Sequence, residues 1–447
     1  MPVQLPLAAA LPFMALLLAI ALGPLVAPAW WGRHRNQAIV AGLVSLPIIL
    51  YLGVALGHEG RVLLEERLKE YVSFIVVIGA LFVISGGIHI GGSLSGTPLA
   101  NTGLLAIGAV LANLIGTTGA SALLIRPLLR ANKTRRRSAH IVVFFIFVVS
   151  NCAGLLTPLG DPPLLLGFLK GVPFEWTLAL WPQWLLVNAA LLLVFNVWDQ
   201  VVFGREERAR AGSQLEAVLR HEPLRIDGQR NVLFLTAILV TIVAAGRVTA
   251  AGRPWAYGVQ ETIIASLAIA AYFVTPRGHR ERNVFTFGPI IEVAVLFAAI
   301  FITMAPVLDV LNSWSQGRRD VLGMSFGLRE PWHFFWATGA LSSVLDNAPT
   351  YLAFSASAAG LQGVAPHGQF LHAFLATGPV AGRTLMAIAA GAVFMGAMTY
   401  IGNAPNFMVR AIAEENGVKM PSFFGYVAYS VGVLIPIFVV VSLAFYS

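Results

Sequence analysis

Charge is scarce in this 447-residue sequence: 11% of the residues are Asp, Glu, Lys or Arg, whereas 57% are hydrophobic. Soluble domains carry about 25% charged residues, so too few are present to coat water-facing surfaces on this scale. The same figures exclude a disordered chain, which is poor in apolar and rich in charged residues. Cysteine is nearly absent. Cys152 stands alone, which excludes an internal disulfide framework. Enzyme signatures are missing too, with no H-E-x-x-H, G-x-S-x-G, Walker A or strand–helix dinucleotide fingerprint. The expectation is a protein that is not an enzyme, needs no cofactor and draws on an ion gradient for any transport.

What is present is apolar sequence in long runs. A hydrocarbon core of about 30 Å takes about 20 helical residues, and such runs occur at 6–27, 38–56, 71–92, 140–157, 176–198, 231–246, 258–274, 287–311, 380–400 and 422–446. The lipid bilayer is thus the first partner expected, and the fold class is an all-α polytopic membrane protein. Met1-Pro2-Val3-Gln4 offers no basic n-region, so the first run reads as an uncleaved helix. The polar stretch 199–230 divides the chain, and Arg205 to Arg208 with Leu215, Val218 and Leu219 suggest a short amphipathic surface helix. Trp30, Trp31, Trp176, Trp181 and Trp198 suit interfacial belts.

Net charge is +8, and the dense run Arg126 to Arg137 has no interleaved aromatics, so nucleic acid is not expected as a partner. Placing the loops at 28–37, 93–101, 126–139, 199–230, 275–286 and 410–421 on one side gathers most of the 29 basic residues there. By the positive-inside rule that side is cytoplasmic, and the protein belongs in the cytoplasmic (bacterial inner) membrane.

Two regions resist simple spanning. Between 102 and 125, and between 332 and 362, short apolar runs are interrupted by Asn113 to Gly119 and by Ser342 to Thr350. Irregular backbone at membrane depth survives only where protein or trapped water satisfies it, so both read as re-entrant hairpins with tips near the midplane. The halves also echo one another. Thr157-Pro158-Leu159-Gly160-Asp161-Pro162-Pro163 and Thr399-Tyr400-Ile401-Gly402-Asn403-Ala404-Pro405 share T-x-x-G-[D/N]-x-P at a constant offset of 242. The predicted organisation is accessory helices in 1–70, a first repeat in 71–198, a linker with connecting helices in 199–286 and an inverted second repeat in 287–447. Each repeat holds a hairpin and a broken helix. Inverted repeats with Gly/Pro-broken segments point to a secondary transporter with a midplane site.

The segments Ile84 to His89, Ser150-Asn151, Thr157 to Pro162, Leu341 to Tyr351 and Ile401 to Asn406 resemble the ion-transporter superfamily, in its branch of arsenite-efflux and sodium–proton antiporters. The nearest likeness is to bacterial sodium:proton antiporters and citrate-transporter-like proteins, and it covers residues 70–446. The resemblance implies two hairpins and two broken helices around an ion site, motion of a transport domain against a scaffold, and a homodimer. Carboxylate-transporting relatives carry Ser-Asn-Thr triplets at their hairpin tips, and no such triplet occurs here.

Asp161 and Asp346 are the primary candidates, because an ionisable group in a bilayer is retained for function by default. Sodium, like other hard cations, takes oxygen ligands; Thr157, Thr399, Asn347 and Asn403 supply neutral ones. Carboxylates kept from water can hold a proton or a sodium ion in turn, so sodium (or lithium) and protons are the expected cargo. Asp161 before Pro162, and Asp346, also read as helix caps. Gly160, Pro162, Gly402 and Pro405 would shape the breaks. Asn151, Thr117, Thr118, Asn406 and Glu292 are secondary candidates, with Glu292 a second proton carrier or an interfacial acid. His89 reads as a packed residue near the end of a Gly-rich helix. The alternative function is cation-coupled transport of citrate or another small organic anion.

Overall fold

A computed structural model of the protein describes residues 5–93, 95–208, 222–250, 253, 255–321 and 324–447. Helices α1 (Leu11–Val26) and α2 (His34–Leu50) precede the first repeat. That repeat contains α3 (Gly57–Ser85), the bent α4 (Pro98–Ala131), the broken pair α5 (Ala139–Val148) and α6 (Pro162–Leu169), and α7 (Trp181–Arg208). Helices α8 (Arg230–Ala250) and α9 (Val259–Val274) connect the halves. The second repeat has α10 (Gly288–Ser315), the arms α11 (Pro331–Ser342) and α12 (Asn347–Leu361), the broken pair α13 (Pro379–Met395) and α14 (Ala404–Glu415), and α15 (Phe423–Phe445).

Among the described residues nine helical stretches are long and apolar enough to cross a bilayer. One of them, α4, does not cross. A straight helix would set Asn101 and Asn132 about 46 Å apart at 1.5 Å per residue, yet Asn101 Nδ2 donates to Asn132 Oδ1 at 3.0 Å and Asn132 Nδ2 returns a bond of 2.7 Å. The chain reverses at Gly116, whose φ of 76° favours glycine. The second hairpin reverses likewise. Phe326 packs on both Trp314 and Phe334, while Asn312 Nδ2 bonds the carbonyls of Ala356 and Val364. The start of α11 and the end of α12 therefore both lie beside the end of α10.

Two faces follow from the polar contacts. Asn101, Asn132, Arg135, His140, Asp199 and Glu206 interlock on one face; Arg135 and Asp199 are fully enclosed and 2.6 Å apart. We call this the basic face. Glu66, Lys69, Lys170, Tyr257 and Gly368 meet on the opposite face. Helix α3 runs toward the basic face and α10 away from it, and the two hairpins enter from opposite faces. The repeats are inverted.

Two expectations are corrected. The span expected at 71–92 ends at Ser85, and 89–93 is strand β1 (His89–Ser93), paired antiparallel with β2 (Glu222–Asp227). Just past the helix end the chain runs close to α8: a Cβ on Gly87 would stand 2.8 Å from the Asn231 side-chain amide, which donates to the Gly87 carbonyl at 3.2 Å. His89 is accordingly a strand residue, its Nδ1 2.7 Å from Asn283 Oδ1. Arg205 to Arg208 continue α7 rather than starting a surface helix; Leu215, Val218 and Leu219 lie outside the described residues.

Candidate functional site

The two breaks are built alike. Thr157 Oγ1 donates to the Asn113 carbonyl at the first hairpin tip, and Thr399 Oγ1 donates to the Ser343 carbonyl at the second, 2.6 Å away. Each hydroxyl thus covers a carbonyl that the bend in its hairpin leaves without a helical donor. Glycine pairs let the strands of each break touch. A Cβ on Gly160 would stand 2.3 Å from the Gly154 carbonyl oxygen, and one on Gly402 would stand 2.6 Å from that of Gly396. Pro162 and Pro405 then open α6 and α14 within their first turns.

Asp161 and its repeat partner Asn403 precede those helices in matching extended backbone, with φ of −149° and −152°. Neither side chain caps its helix. Instead both turn to the centre. Asp161, 1% exposed, accepts from Thr117 Oγ1 at 2.6 Å and from Asn403 Nδ2 at 3.4 Å on Oδ1, and from Asn347 Nδ2 on Oδ2. One carboxylate therefore joins both hairpin tips and both broken helices. Asn347 Oδ1 is buried beside it with no hydrogen-bond partner among the described residues. An orphaned amide oxygen next to a carboxylate is costly to leave dry and is a ready ligand for a small cation.

Asn403 also reaches Ser150 O and Asn151 Oδ1; Asn151 Nδ2 bonds Asn406 Oδ1 at 2.7 Å; Asn406 Nδ2 bonds the Gly396 and Thr399 carbonyls. These three asparagines tie one break to the other and satisfy freed backbone. Asp346 differs from Asp161. Its Oδ1 caps α12 by accepting from Ala348 N at 3.0 Å, and it stays partly accessible. Among the described residues no three His, Cys, Asp or Glu gather as a metal cluster, so a cation here would rest on the two acids and on neutral oxygens.

Asp346, Asn403, Thr117 and Thr118 face a cavity of about 710 Å³, whose other wall is made by α1, α2, α3 and α10. The cavity extends toward the basic face past Trp31, His34 and Gly288, and neither Lys nor Arg lines it. Glu292 lines it too, away from the Asp161 cluster. Sequence reasoning missed Gly154 and Gly396, although their shared offset of 242 was a visible signal. It also missed Gln37, which no motif marks.

Inverted hairpins and broken helices closing on a polar centre define a polytopic membrane transporter. Residues 2–446 match the family described as "Putative citrate transport", and the chain belongs to that family. No curated protein matches it.

Proposed function

We propose that the protein is a secondary transporter exchanging sodium or lithium for protons across the cytoplasmic membrane, with its basic face in the cytoplasm. Asp161 and Asp346 serve as the shared cation and proton acceptors. Asn347 and Asn403 complete the oxygen set, with Thr157 and Thr399 holding the breaks in register. The observation that carries this reading is the sign of the charge: two acids stand at the meeting of the hairpins, and neither Lys nor Arg lines the cavity that reaches Asp346. An anion of several charges would meet no Lys or Arg there, whereas a cation would neutralise groups that are expensive to bury.

The family match favours a second reading, cation-coupled uptake of citrate or another small organic anion. A volume of about 710 Å³ suits a small molecule better than a bare alkali ion. Everted vesicles carrying a pH dye separate the two. Collapse of an imposed proton gradient on adding sodium or lithium supports exchange; no response, with uptake of labelled citrate, supports the second reading. For orientation, a cysteine replacing exposed Thr134 should react with an impermeant thiol reagent only from the cytoplasmic side, since Cys152 is buried.

A further inference from the structure

Among the described residues, Glu292 and Asp346 are the only acids lining the cavity. Glu292 stands on α10, one turn inside the basic face. Its Oε1 accepts a 2.8 Å bond from Gln37 Nε2 of α2. Gln37 is 1% exposed, and its own Oε1 lies 3.3 Å from His34 Nδ1. The carboxylate is therefore held in place from one side. Among the described residues no donor reaches its second oxygen, which is not among the buried unpartnered atoms and so is open to the cavity.

Neither Lys nor Arg lines the cavity beside this carboxylate. Phe74, Leu296 and Phe297 line the same cavity, and His34, 3.3 Å from Gln37 Oε1, acts on the carboxylate without bonding it directly. A charge on low-dielectric walls focuses the field into the cleft and raises the local concentration of counter-ions. A carboxylate oxygen left open at this depth can take a cationic partner from the transported species.

We propose that Glu292 is a second binding station for a monovalent alkali cation, placed between the basic face and Asp346. It rests on the reading of the cavity as a cation path. A cation entering from the basic face meets Glu292 on the stationary wall before it reaches the hairpin tips, and one released from the tips leaves past it. The competing account is that Glu292 only staples α2 to α10 through Gln37.

Glu292→Gln separates these accounts, because glutamine keeps the size and the acceptor for Gln37 and removes only the charge. Binding of radiosodium to the purified protein in detergent reads the station directly. Glu292→Gln should lose part of the bound sodium, Asp346→Asn should lose the remainder, and the double variant should bind none. In proteoliposomes, Glu292→Gln should raise half-saturating sodium about tenfold from the basic face and leave it unchanged from the opposite face. Unaltered binding and half-saturation in a well-folded Glu292→Gln protein overturn the station and leave the staple. So does an equal weakening from both faces. If Glu292→Gln loses sodium while Asp346→Asn loses none, the station stands and the assignment of the hairpin-tip site falls instead.

Discussion

Thr157 and Thr399 make the same bond in the two halves: each hydroxyl donates to a backbone carbonyl at the tip of its own repeat's hairpin. The pseudo-symmetry extends to single hydrogen bonds. It is not complete, because Thr399 Oγ1 also accepts from Ile401 N and Gly402 N, at 3.1 and 3.2 Å. Losing a hydroxyl leaves buried groups unpaired at about 1–3 kcal/mol each. Thr399→Val should therefore destabilise the protein more than Thr157→Val. Reaction of a thiol dye with Cys152, buried in the native state and the only cysteine, reports unfolding on heating. Equal melting points for the two variants would contradict the asymmetry.

The glycine pairs carry a second expectation. A methyl group on Gly160 or Gly402 meets carbonyl oxygens at 2.3 and 2.6 Å, and backbone cannot swing aside as a side-chain tip can. Overpacking of this kind costs about 1–3 kcal/mol, and here it also displaces Asp161 or Asn403, the next residue in each case. Gly160→Ala and Gly402→Ala should lose exchange activity and melt early. Gly103→Ala, in the first arm of α4 with open space around the added methyl, should keep activity and gain up to about 1 kcal/mol from helix propensity.

The architecture was legible because hydrophobic run length and the offset of 242 are properties of the chain itself. The hairpin at Gly116 and the break at Gly160 were marked by Gly and Pro, which announce irregular backbone locally. The strand at 89–93 was not legible, since its partner lies more than a hundred residues on and Ile88 to Ile90 extend an apolar run. Roles within the site divided the same way. Asp161 before Pro162 reads as a cap, yet the structure turns its carboxylate to Thr117, Asn347 and Asn403. Only tertiary contact could decide that, whereas the Asp346 cap is a local bond to Ala348 N two residues on.

This difference makes the two acids separable. Asparagine caps a helix about as well as aspartate, so Asp346→Asn should keep the bond from Ala348 N, fold normally and abolish sodium-dependent proton movement. Asp161→Asn removes the acceptor that three donors share and places an amide NH₂ among them, so activity and melting temperature should both fall. The vesicle assay and the thiol-dye melt, run on both variants, check this. An active Asp346→Asn protein would leave Asp346 as a cap and nothing more.

The opposite face supplies the last expectation. Glu70 of α3 accepts from Lys170 Nζ at the end of α6 and from Arg67 Nη1 at 2.9 Å. Lys170 is 1% exposed and Arg67 2%, and Arg67 Nε has no hydrogen-bond partner among the described residues. Glu70 is thus the shared counter-charge for two buried cations, and it joins α3 to a broken helix. Glu70→Gln leaves both cations buried without the carboxylate they bond, a loss of about 3–5 kcal/mol for a broken buried pair. Replacing a whole buried pair by apolar residues is far milder, so Lys170→Met added to Glu70→Gln should recover part of the lost melting temperature. Were the double variant no more stable than Glu70→Gln alone, the damage would come from Arg67, and adding Arg67→Met instead should restore it.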